Sequence, residues 1–291
     1  MYINMALAVV VAALLQSCES RIGESFSLTK TNLESQLSSK AELLIDNMAD
    51  MYGQIQDIAF ESQYDGVVAG ILSSSAETFV PSELTSDTIR LKTSILNLYK
   101  QAMHEYSLLS DAGFSGKPNS FAKSCNLIVE AYGKLNDSIA KACGRQLVPL
   151  VRTVNYDQNY ASILLIDALA AVWNKDVDTW VKQLNTAFLD YQTSLSMVPD
   201  EAFDESKLIK YVNAPYNGKH NLAEVYKLNL IKERRATLNA LVQRQHNIST
   251  SLQYLQEALA EFVKKNGENE VVMNYIKRIE LLLDNRDSNN E

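Results

Sequence analysis

The sequence predicts an all-α fold, an elongated antiparallel helical bundle in which two long helices bracket shorter ones. Three observations carry this expectation. Ten Gly and five Pro in 291 residues leave few turn-formers, and the abundance of Leu, Ala, Gln, Lys and Glu favours helix over a turn-rich β fold. Apolar residues recur at steps of three and four over long stretches, which is the period of one helix face. The interruptions are few and well marked, chiefly Asp111 to Asn119 and Pro199 to His220, both rich in Gly, Pro and Asn.

Thr31 and Glu34 have the spacing of a capping box, so the first long helix begins near Asn32. Its apolar stripe is Leu33, Leu37, Ala41, Leu44, Met48, Met51, Ile55 and Ile58, and it reaches Ser73 unless Asp65-Gly66 stops it. Val80-Pro81 ends that segment. A second helix is predicted from Ser82 to Ser110, with Leu84, Thr88, Leu91, Ile95, Leu98, Ala102 and Leu109 on its inner face. Ser120 can cap the third, whose seam is Phe121, Cys125, Ile128, Tyr132, Leu135, Ile139 and Ala142, and Gly144 can end it.

A fourth helix, Leu147 to Trp173, tolerates Pro149 in its first turn, and Asn174 closes it. Asp178 or Asp176 then caps a fifth, with Trp180, Leu184, Phe188, Tyr191 and Leu195, which stops before Pro199. Two helical turns are expected at Ser206 to Val212. Asn221 with Glu224 opens the second long helix, Leu222 to Lys265. There Leu238, Leu241, Gln245, Ile248, Leu252, Leu255, Leu259 and Phe262 keep a three-and-four step. A last helix, Glu270 to Asp284, packs Val272, Tyr275, Ile276, Ile279 and Leu283. Neither rod can bury its stripe alone, so each must pack on the other or on the middle helices. No internal repeat of solenoid length is present.

The formal net charge of -8 disfavours a nucleic-acid partner, because phosphate backbones repel such a surface. Cys125 and Cys143 would lie in one continuous helix, roughly 27 Å apart along its axis. A disulfide needs Cα atoms within about 7 Å, so both are predicted to be free thiols unless the chain reverses at Gly133.

Met5 to Leu15 is an unbroken apolar run, too short to cross a bilayer core that needs about 20 residues, and of the length of a signal-peptide core. It is followed by Leu15-Gln16-Ser17-Cys18, with a small residue before the cysteine. This stretch resembles the signal peptide and lipobox of bacterial lipoproteins, although no Lys or Arg precedes the apolar run. The resemblance implies that Cys18 receives a diacylglyceryl group on sulfur, becomes the first residue of the mature chain by cleavage after Ser17, and is then acylated on its new amino group. It divides the chain into a signal peptide at 1–17, a tether at 18–30, a helical domain at 31–285 and a disordered tail at 286–291. Glu19, where Asp would retain such a protein in the inner membrane, implies an outer-membrane location, with a periplasmic or a surface face.

Chemical motifs are weak. His104-Glu105 begins like a zinc-protease helix, but Leu108 stands where the second histidine is needed. Gly113-Phe114-Ser115-Gly116 is followed by Lys117 and not by the glycine of a nucleophile elbow. Ser27-x-x-Lys30 and Ser120-x-x-Lys123 match the serine and lysine pair of penicillin-binding enzymes without the strand motif that should follow. No cofactor, metal or catalytic residue is expected from these.

Asp167 is the charged residue that stands out, because Ile163 to Trp173 is otherwise apolar nearly all round. A carboxylate inside such a helix must be paired, hydrogen-bonded or protonated, so a buried polar contact to an Arg, Lys or Tyr is predicted. Lys232-Glu233-Arg234-Arg235 is a locally basic turn, read as a solvated face or a contact for anionic lipid or an acidic partner. The expectation is therefore a lipid-anchored envelope protein that binds and positions other proteins without catalysis, its partners being the membrane, through Cys18, and other envelope proteins. The alternative is a membrane-active protein resembling long-helix pore-forming toxins, with Ile163 to Trp173 as its inserting segment.

Overall fold

The computed structural model of the chain describes residues 32–65, 86–111, 118–134, 158–203, 221–264 and 269–284. Among them are six α-helices, one 3₁₀ turn and no strand, so the protein is an all-α helical bundle. Helix α1 covers residues 32–65, α2 Ser86–Asp111, α3 Pro118–Lys134 and α4 Gln158–Met197. The 3₁₀ turn is Asp200–Ala202, and α5 Leu222–Val263 and α6 Asn269–Asp284 complete the chain. At about 1.5 Å per residue, α1 is about 51 Å long, α4 about 60 Å and α5 about 63 Å.

Side-chain contacts fix the directions. Ser38 of α1 donates to the Met103 carbonyl of α2 at 2.7 Å, while Asp46 of α1 meets Lys100 of α2 at 2.7 Å, so α1 and α2 are antiparallel. Asp167, Asn174 and Asp178 of α4 meet Gln256, Ser249 and Gln245 of α5 in reverse order, which makes that pair antiparallel too. Helix α1 runs against α5, with Arg244 on the Asn47 carbonyl and Arg234 on Asp65, and α6 folds back along α5 with Tyr254 against Tyr275. Lys40 of α1 also reaches Glu280 of α6 at 2.7 Å. Helix α1 thus touches α2, α4, α5 and α6 and stands at the centre.

The predicted stripes are largely the observed core. On α1 all of Leu33 to Ile55 in the stripe is buried, and Ile58 packs against the cluster. Phe121, Cys125, Ile128 and Tyr132 of α3 are buried, as are Leu238, Leu241, Ile248, Leu252, Leu255, Leu259 and Phe262 of α5. Asn221 caps α5, its side chain accepting from the Ala223 N–H. Helix α3 begins at Pro118, two residues before the expected cap, because Pro is suited to a first turn. It continues helical through Gly133 to Lys134, and Cys125 is a buried free thiol. Cys143, residues 204–220 and the segments that would extend α1 to Ser73 and α3 to Gly144 lie outside the described residues.

Two expectations are corrected. Asn174 does not end a helix, nor does Asp176 or Asp178 cap one, since α4 runs unbroken through all three. Asn lowers helix propensity by well under 1 kcal/mol, and here Trp173, Val177 and Trp180 bury their side chains on either side of it. Asn174 itself accepts a hydrogen bond from Ser249 at 2.8 Å. The middle of the bundle therefore contains a third long rod.

The second correction is Asp167, which is exposed and not buried in an apolar shell. It accepts a hydrogen bond from Gln256 of α5 at 2.8 Å, and neither Arg, Lys nor Tyr takes that place. Ile163, Leu164 and Ala171 are likewise only partly buried or exposed, so Ile163 to Trp173 keeps one wet edge.

Candidate functional site

The charges that are truly buried lie on other positions. Lys92 of α2 and Asp176 of α4 are 7 % and 6 % exposed, and their Nζ and Oδ1 atoms are 2.6 Å apart. Tyr52 of α1 donates its hydroxyl to the other oxygen of Asp176 at 3.4 Å. Trp180, one turn further along α4, meets the Tyr52 ring edge-on at 5.1 Å and has the Lys92 ammonium 5.1 Å from its ring centre. Tyr132 of α3 donates to Tyr99 of α2 at 3.3 Å, with their rings 6.3 Å apart. Four helices thus place polar groups at one level of the core.

The local sequence explains each placement. Ile89, Lys92, Leu96, Tyr99, Met103 and Tyr106 step by three and four along α2 and are all buried, so Lys92 occupies a seam position. On α4, Leu169, Trp173, Asp176, Trp180 and Leu184 do the same. Each charge is carried inward by the apolar neighbours of its own helix. A lone buried charge is costly, and the pair forms because each supplies the counter-charge of the other.

The electrostatics keep the Tyr52 phenol protonated. Burial above all, then the charge of Asp176, the neighbouring Tyr132 and the hydrogen bond to Asp176, hold the Tyr52 hydroxyl well above its ordinary pKa of 10.0. Tyr52 therefore stays a donor. Cys125 is also pushed up by burial, to about 12, which leaves it a thiol and a poor nucleophile. Chemically the cluster is a closed ion pair with a phenol donor, suited to fixing the register of α1, α2 and α4.

A second polar cluster ties α1 to α5. Arg234 grips Asp65 in a bidentate manner, Nε at 2.7 Å and the second nitrogen at 3.2 Å, and it also contacts Glu61. Burial alone would lower the pKa of this guanidinium, but the hydrogen bonds and charges of Asp65 and Glu61 outweigh it and raise it. Arg235 lies 5.9 Å from the Phe188 ring. Arg234 is accordingly committed to the bundle itself, while Lys232, Glu233 and Arg235 are exposed in the way expected of a solvated turn.

Beyond Tyr191, α4 and α5 continue as a pair. Their tip is a separate small core in which Leu222 and Ala223 are covered by Phe203 and Tyr226. Lys227 organises it. Its ammonium donates to the Val198 carbonyl at 2.5 Å and to Asp200 at 2.8 Å, and lies 5.4 Å from the Phe203 ring. The hydrogen bond from Lys227, with its charge and the Asn221 amide, holds Asp200 below the usual carboxylate range against a smaller effect of burial.

Of the residues singled out from sequence, Cys18 lies outside the described residues and Asp167 is a surface hydrogen-bond acceptor. His104 is exposed, 3.4 Å from Glu42. The sequence reading missed Lys92 and Tyr52 and offered Asp176 only as an alternative to Asp178 for a cap. The signal for Lys92 was present in the unbroken heptad from Ile89 to Tyr106. Among the described residues there is no group of side chains that could hold a metal ion, and no helix is long and apolar enough to cross a membrane. No family model, no curated protein and no solved structure matches the chain.

Proposed function

We propose that this chain is a lipid-anchored protein of the bacterial envelope, held in the outer membrane by acylated Cys18, and that it works by binding and positioning other proteins. The observation that carries the reading is the apolar run Met5 to Leu15 leading into Leu15-Gln16-Ser17-Cys18. The helical bundle supports it in a general way, since rods of about 60 Å offer long side faces for other proteins.

The test is labelling of cells with a radioactive fatty acid. The wild-type chain should take up label and lose residues 1–17, whereas Cys18→Ser should take up none and keep its precursor length. Mass spectrometry that finds Met1 on the mature protein would overturn the anchor. The binding role is read separately, by crosslinking in intact cells and copurification from detergent-solubilised membranes. Leakage of dye from liposomes on adding the chain would favour the pore-forming alternative.

A further inference from the structure

Beside the Lys92–Asp176 pair the core is not completely filled. Tyr52, Lys92, Tyr132, Val172, Trp173 and Asp176 are among the residues that line a cavity with about 10 Å³ free for a water-sized molecule. That is about the space one water requires, and too little for a metabolite. Trp173 is completely buried, and its indole Nε1 has no hydrogen-bond partner in the protein. A buried N–H left without an acceptor costs about 1–3 kcal/mol, which is why such groups are nearly always paired with protein or with ordered water.

From the cavity and the orphaned indole together, we propose that this cavity is a binding site for a single structural water molecule, which accepts a hydrogen bond from Trp173 Nε1 and donates to the carboxylate or hydroxyl oxygens facing the same space. The chemistry of the wall selects the occupant. A cation would meet the Lys92 ammonium and an anion the Asp176 carboxylate, and the pair already neutralises itself at 2.6 Å. A neutral molecule that both donates and accepts meets neither penalty, and water is the one that fits. An apolar occupant would leave the indole N–H unsatisfied. The site does not depend on the lipid-anchor reading.

Two measurements on the purified full chain decide it. A crystal structure at a resolution that shows buried waters should contain one water-sized density peak within hydrogen-bond distance of Trp173 Nε1. Ultraviolet resonance Raman spectroscopy reads the indole N–H directly, and the difference between wild type and Trp173→Phe isolates the Trp173 band. That band should lie at the hydrogen-bonded frequency. A band at the non-bonded frequency overturns the proposal, because the N–H is then orphaned in a dry cavity. A bonded band with no density peak overturns it as well, because a protein atom must then be the acceptor.

Discussion

The body of the bundle and the α4–α5 tip are built from the same two long helices, yet they are stabilised differently. At the level of Asp176, side chains from α1, α2, α3 and α4 surround one another, and Trp173, Tyr52 and Tyr99 are completely or almost completely buried. At the tip, Leu189 is 59 %, Met197 63 % and Leu228 58 % exposed, and the buried apolar residues described there are Leu195, Val198, Leu222 and Ala223, the last two under the rings of Phe203 and Tyr226. A heptad pattern therefore reports helix, not depth. Depth depends on how many other helices pack at the same level, and four meet at Asp176.

The comparison is broken most severely by removing one buried charge. Asp176→Ala removes the carboxylate that pairs with the buried Lys92 ammonium and takes the acceptor from Tyr52, so urea unfolding should show a loss of about 3–5 kcal/mol. The double change Lys92→Met with Asp176→Leu should recover most of that loss. A double variant as unstable as Asp176→Ala would show that the pair itself, and not the uncompensated charge, holds the helices. By contrast Arg234→Ala, a partly exposed clamp to Asp65 and Glu61, should cost about 1 kcal/mol or less.

Next in size is the apolar contrast. Leu252 is buried where α5 crosses the body, and Leu252→Ala should cost about 2–5 kcal/mol, while its exposed neighbour Gln253→Ala should hardly change the melting temperature. On the tip, Leu228→Ala should stay within about 0.5 kcal/mol of wild type. A large loss there would mean that Leu228 is covered by another molecule in solution.

Alkaline titration separates the regions by their tyrosines. Tyr52 in the body is held well above 10.0. Tyr191, beside Asp65 and Arg234, is pushed up to about 12, first by burial and then by Asp65, with Arg234 acting against. In both cases the folded chain keeps a proton that the unfolded chain gives up above about pH 10. Their contribution is complete below that pH and is lost as pH rises, up to about 12 for Tyr191 and beyond the ordinary range for Tyr52. Cys125 adds the same sign of effect from pH 9.0 to about 12. Stability measured by urea should therefore begin to fall near pH 9, and Cys125→Ala should delay the fall to about pH 10.

The smallest effect concerns opening without unfolding. Backbone amides of Leu222–Ala236 and Tyr191–Met197 should exchange hydrogen faster than those of Ile248–Phe262 at neutral pH, because little apolar surface is exposed when the tip frays. Equal protection along α5 would show that it opens only as a unit.

Much of this was legible in the sequence. The stripes of α1, α3, α5 and α6 contain residues whose burial is favourable whatever their neighbours, so periodicity alone located them. On α2 the reading selected Thr88, Leu91 and Leu98, which are only half-buried, and not the seam from Ile89 to Tyr106 that runs through Lys92. Nothing local to Lys92 announces that a carboxylate waits on α4. The same difficulty hid Asp176, whose caplike position after Asn174 was a better local fit than a core position. The prominence given to Asp167 had the opposite cause. Its neighbours are apolar, but three of them lean toward solvent, and the carboxylate follows that edge. Local propensity describes one helix, whereas a buried ion pair is a property of two.

The central position of α1 also determines how the molecule would bear load. Its ties are spread along its length, from Ser38 and Lys40 near the beginning through Asp46 and Tyr52 to Asp65 at the end. A pull on residue 32 directed along the helix axis would strain all of them at once, as in shear, and none could yield before the others had shared the tension. The α2–α3 hairpin is arranged otherwise, and a pull that spreads its open end would part the Tyr99–Tyr132 and Tyr106–Phe121 contacts one after another. The chain is thus mechanically strong along the direction in which its first helix runs and weak across it.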